Sequence, residues 1–122
     1  MTIHPRTLDD RSILIIEDEP LIAFEVEAAF STAGASVVSA SDTTEALRLI
    51  SESNISAAVV DISLGTEDCS VVCERLAEAG IPFIFYTGDA RPDILRKWPS
   101  APILTKLVDK KRIVEVVAGI VR

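Results

Sequence analysis

Five residues spread along the chain could do chemistry together if the fold brought them to one place. Glu17 and Asp18 stand in "IIEDEP", Asp61 in "AAVVDISLGTED", Thr87 in "YTGD" and Lys106 in "LTKL". Each closes a short apolar run. A carboxylate at the mouth of a buried strand is costly to leave unpaired, so Asp61 needs partners from elsewhere in the chain. Taken singly, a strand-end acid caps a helix, a threonine favours a strand and a lysine stays solvated; only the set points to a site. Two carboxylates about 4 Å apart repel by ~4 kcal/mol at an effective dielectric of ~20, so a cluster of three protonates or splays unless cations hold it. Lys106 supplies one positive charge. The remainder calls for a divalent ion, and hard oxygen donors favour Mg2+, with Mn2+ able to substitute. A metal held this way usually serves to bind or transfer a phosphoryl group. Neither G-x-x-x-x-G-K-[ST] nor G-x-G-x-x-G occurs, which removes nucleotide hydrolysis and dinucleotide binding. What remains is a carboxylate that is itself the nucleophile and forms an acyl phosphate.

Those residues must be positioned by regular elements. Five apolar runs, "SILII" (12–16), "SVVSA" (36–40), "AAVV" (57–60), "PFIFY" (82–86) and "PILT" (102–105), alternate with helical patterns. Runs that are apolar at consecutive positions predict strands covered on both faces. Between them, Ile22, Val26, Ala29, Phe30 and Ala33 mark one helical stripe, and Ile113, Val116, Val117, Ile120 and Val121 another. Gly34 and Gly80 stand where helices end, and Asp42 or Thr43 where one begins. Pro92 and Pro99 bracket "DILRKW" and leave a fourth helix room for two turns at most. A strand-helix alternation repeated in this way implies an α/β fold: a doubly wound five-stranded parallel sheet with helices on both faces. Such a sheet binds ligands beyond the carboxyl ends of its strands, where all five singled-out residues fall.

The 122 residues fit one domain, expected over 11–122 behind a polar N-terminal tail (1–10). A net charge of -7 argues against direct nucleic-acid or anionic-membrane binding. The apolar runs are far too short to span a bilayer and the start lacks a secretory core, so a cytoplasmic location is expected. Cys69 and Cys73, four apart on one helix, and the single histidine, His4, do not make a zinc set; the cysteines are expected to be thiols on a helix face.

With the acidic pair after strand one, Asp61 after strand three, Thr87 after strand four and Lys106 after strand five all in register, the chain from Arg11 to Arg122 resembles a receiver domain of bacterial two-component response regulators. The resemblance implies a flavodoxin-like (βα)5 fold with strand order 2-1-3-4-5. It also implies phosphorylation by a sensor histidine kinase or histidine phosphotransfer protein, and an altered interaction with an output protein. Carried over by position, Asp61 is the phosphoacceptor; Asp18, Asp61 and the backbone carbonyl of Ser63 ligate magnesium, and Glu17 reaches it through water. Lys106, Thr87 and Gly88 serve the phosphoryl group. The implied role is signalling in a stand-alone receiver, without enzymatic turnover, and a homodimer through the fourth helix, fifth strand and fifth helix is left open.

The pattern departs from the family in places. Leu107 replaces the usual proline after the lysine, Ile103 stands where an aromatic switch residue is common, and Gly65 and Cys69 alter the loop after the acceptor. "PFIFYTGD" is similar to strand four in a subgroup of stand-alone receivers. The departures keep an alternative open, a pseudo-receiver that acts as an interaction module without phosphorylation. A phosphatase with an aspartyl nucleophile commonly needs a second acid two residues on, where Ser63 stands.

Overall fold

The inner strand β1 (Ser12–Ile16) is apolar at four consecutive positions because both of its faces are covered. Ile13 and Ile15 pack on one side with Val26 and Phe30, whereas Leu14 and Ile16 pack on the other with Ala46, Val72 and Leu76. This is a computed structural model, and it describes residues 7–64, 67–88 and 96–121. β2 (Ser36–Ala40), β3 (Ala57–Val60), β6 (Phe83–Thr87) and β7 (Ile103–Thr105) complete a parallel sheet in the order β2-β1-β3-β6-β7. That is the 2-1-3-4-5 order. β3 and β6 are buried throughout. The edge strands β2 and β7 are half-buried or exposed over most of their length, so cover on both faces holds only for the inner strands.

α1 (Pro20–Thr32) and α4 (Lys110–Ile120) cover one face, while α2 (Thr43–Glu52) and α3 (Ser70–Glu78) cover the other. Pro20 opens α1, where its fixed φ suits the helix and its missing N–H is no loss. Gly34 follows at φ 95°, a conformation that costs little only without a Cβ. α2 starts on two side-chain caps. Asp42 Oδ1 accepts from the Glu45 N–H at 2.8 Å, and Glu45 Oε1 accepts from the Ser41 N–H at 2.9 Å.

The structure adds features that periodicity did not predict. Leu8, placed in the polar tail by its surroundings, is buried against α1, and its N–H donates to the Ala33 carbonyl at 2.8 Å. After Asp61 the backbone forms a short antiparallel ribbon, β4 (Ser63–Leu64) with β5 (Glu67–Asp68), too short for any apolar pattern to announce. Cys69 and Cys73 point into the core with their Sγ atoms 4.0 Å apart and no disulfide between them. Of "DILRKW", Arg96 and Lys97 are helical, and positions 93–95 lie outside the described residues, as do His4 and Gly65.

Candidate functional site

The strand order reverses between β1 and β3, which leaves a crevice beyond their carboxyl ends. Glu17 and Asp61 stand there, each one residue past its strand. The Glu17 N–H donates to the Ala40 carbonyl and the Asp61 N–H to the Ile16 carbonyl, both at 3.0 Å, so the ladder continues to the functional residues themselves. Glu17 and Asp61 are 5% and 3% exposed. Thr87 ends β6 and is also buried.

Lys106 reaches this crevice from beyond β7. Its N–H donates to the Thr87 carbonyl at 2.9 Å, and the Tyr86 hydroxyl lies 3.5 Å from its carbonyl oxygen. The described chain has no cis peptide, so Lys106 and Leu107 are joined in trans, and Leu107 projects almost fully into solvent. The loop thus aims the lysine without a proline. Its Nζ sits 3.1 Å from Asp61 Oδ2, 2.9 Å from Glu17 Oε1 and 3.1 Å from Glu19 Oε1. The contact to Glu17 is an ion pair that falls short of hydrogen-bond alignment, while the other two are hydrogen bonds. Glu17 Oε2 accepts from the Glu19 N–H at 3.1 Å.

The electrostatics follow from burial. Desolvation pushes the Glu17 carboxyl up from 4.5 to about 7, against the pull of Lys106 and of the Glu19 N–H. Burial acts to lower Lys106, but its bonds to Glu17, Glu19 and Asp61 outweigh that, and its pKa stands above the usual 10.5. The ammonium is therefore permanently charged.

Three carboxylates meet one ammonium, Asp18 adds a fourth acid beside them, and the oxygens of Glu17, Asp18 and Glu19 lie within 4.8 Å of one another. This surplus of negative charge on hard oxygen donors fits a divalent cation of the magnesium type. Asp61 stands outside that tight trio, with its Oδ2 committed to Lys106. Ser63 lies two residues beyond Asp61 in the ribbon, where its backbone pairs with Asp68. A Cβ on Gly88 would stand 3.8 Å from Lys106 Cδ, an ordinary contact, so the glycine keeps open the space beside the lysine stem. Ile103 is 46% exposed, opposite Phe85 in register. Glu19 is the residue that spacing did not single out; its only sequence signal is being the third acid of "EDE" at a helix start.

A family model described as the response regulator receiver domain matches residues 13–118. No sequence among the curated proteins matches. Solved structures share the fold. A response regulator receiver protein from Sinorhizobium medicae is 21% identical with a TM-score of 0.80, over 90% of this chain and 95% of that one. A CheY-like receiver domain from Methanospirillum hungatei is 22% identical at 0.76, over 89% and 91%. A response regulator protein from Burkholderia pseudomallei, solved with a phosphorylated aspartic acid, calcium ion and citrate, is 21% identical at 0.75, over 88% and 66%.

Proposed function

The chain belongs to the response regulator receiver family, and on that premise we propose that Asp61 accepts a phosphoryl group from a histidine kinase or histidine phosphotransfer protein and thereby changes what the chain binds. The observation that carries this is the ammonium of Lys106 held 3.1 Å from an oxygen of the buried Asp61, at the point where the strand order reverses. In the step, an Asp61 oxygen attacks phosphorus, the phosphorus–nitrogen bond of the donor histidine breaks, and its electron pair returns to the imidazole. Lys106 keeps a positive charge beside the transferring oxygens and Thr87 offers a hydroxyl from the end of β6. Asp18, Asp61 and the Ser63 carbonyl would hold Mg2+, with Glu17 reaching it through water. When bound, the ion supplies charge neutralisation between the two anionic groups. Gly88 leaves room for the incoming group.

The donor has an apolar rim to dock on: Leu21 and Phe24 on α1 are 71% and 68% exposed, and Leu107 projects from the loop behind Lys106. This is the signalling role of a receiver, a switch with one phosphoryl group per cycle, returned to water by hydrolysis. Intact-mass measurement after incubation with acetyl phosphate tests it. One phosphoryl group should add in the presence of magnesium, and none in Asp61→Asn. No gain in the parent protein would favour the alternative, an interaction module that works without phosphorylation.

A further inference from the structure

Position 107 does little to hold its own loop. Leu107 is 97% exposed, so no packing anchors its side chain, and one bond closes the turn around it, the Val108 N–H donating to the Thr105 carbonyl at 3.1 Å. Yet the ammonium carried by that turn meets three carboxylates at 2.9 to 3.1 Å. The rotamer freedom of a lysine opposes such convergence unless the root of the side chain is fixed. Two adjacent residues of β6 fix it. The Thr87 carbonyl accepts from the Lys106 N–H at 2.9 Å, and the Tyr86 hydroxyl donates to the Lys106 carbonyl at 3.5 Å. The second bond is long, but among the described residues no backbone N–H donates to that carbonyl. Building on the role given to Lys106 above, we propose that Tyr86 is a positioning residue: its hydroxyl holds the Lys106–Leu107 peptide and so keeps the ammonium aimed at Asp61.

The surroundings of the phenol suit that role. Its ring is buried in the cluster that holds Ile13, Val26 and Ile113, so the hydroxyl is offered from a fixed base. The Lys110 ammonium stands 5.7 Å from the ring centroid, and the hydroxyl is the first cause of the raised Lys110 pKa. A cation beside the hydroxyl draws its lone pairs and leaves its proton for an acceptor, here the Lys106 carbonyl. Tyr86 thus ties the end of β6 to the turn that precedes α4.

The full chain at rest tests this without any phosphodonor. With lysine labelled at 13Cε and 15Nζ, the Lys106 signal, assigned by its loss in Lys106→Arg, should move toward those of the solvated lysines in Tyr86→Phe, which keeps the ring and its packing and removes only the hydroxyl. A stationary signal would overturn the proposal, whether or not Asp61 accepts a phosphoryl group. Kinetics then separate aim from fold. With acetyl phosphate and magnesium, Tyr86→Phe should phosphorylate about three- to tenfold more slowly than the parent, the scale of one neutral hydrogen bond. In a Lys106→Met background the same substitution should change nothing further, because a residue that acts through the lysine has nothing left to act through. Equal slowing in both backgrounds would assign the effect to the packing of β6 and overturn the proposal, as would a parent-like rate of Tyr86→Phe. Absence of phosphorylation in the parent itself would strike the phosphoacceptor reading alone and leave the decision on Tyr86 to the Lys106 signal.

Discussion

At the scale of single residues, the site stores unfavourable charge in Glu17. Its carboxyl is buried and titrates near 7 in the folded chain, against 4.5 in an ordinary environment. Between those values the folded state keeps a proton that the unfolded state has lost, so stability falls as pH rises through that window and is greatest below it. The metal-free protein should lose on the order of 2 kcal/mol from this group between pH 4.5 and pH 7. Thermal melts of the parent and Glu17→Gln across that range measure the difference. The parent should fall relative to the variant as pH rises, and parallel curves would place the shifted group elsewhere. Lys106, whose pKa is also raised, has the same sign at higher pH: its contribution is complete below 10.5 and is lost only above it, so it adds no slope in the same window.

At the scale of elements, each site residue depends on a strand that ends on time and a helix that starts on time. The Asp42 cap begins α2 directly after β2, with Glu45 reaching back to the Ser41 N–H, and the Ala40 carbonyl at the end of β2 accepts from Glu17. Asp42→Ala should cost about 1 kcal/mol, or roughly 3 to 5 °C in melting temperature for a domain of this size. Phosphorylation should survive, because the cap does not touch the crevice. Several helix starts and stops were legible in residue type, since Gly34, Asp42 and Gly80 each have a local backbone reason to stand where they do. The β4–β5 ribbon was not legible, since each of its strands is two residues long and carries no period.

At the scale of the molecule, the two ends of β6 connect the crevice to the far edge of the sheet. Thr87 ends the strand in the crevice, while Phe83 begins it against Trp98, with ring centroids 5.6 Å apart in an edge-on contact. Trp98 sits with Pro82 and Pro102 at the opposite ends of the strands from Asp61, so it reports only changes that cross the whole sheet. A Thr87 bond to a phosphoryl group contributes about 1.5 to 3 kcal/mol, enough to shift two nearly balanced states. Thr87→Ala should therefore still be phosphorylated, more slowly, but lose most of the Trp98 fluorescence change seen in the parent. Equal changes in both proteins would show that the signal bypasses Thr87, and none in either would confine it to the crevice.

The sequence by itself determined the parallel sheet and the place of its chemistry. Consecutive apolar runs commit the inner strands to burial on both faces, and a carboxylate, hydroxyl or ammonium at the end of such a run has only the sheet edge to occupy. Leu8 escaped that logic because a single apolar residue among polar neighbours has no period, and its burial depends on the Ala33 carbonyl lying within reach. The same limit applies at the site. Glu17, Asp18 and Glu19 are adjacent in the chain, yet which acid is buried, which stays half-buried and which lies exposed depends on the direction each side chain takes at the turn from β1 into α1. Only the fold brings Lys106 across 87 positions to Glu19 and 45 to Asp61, so only the fold decides how its charge is shared among them.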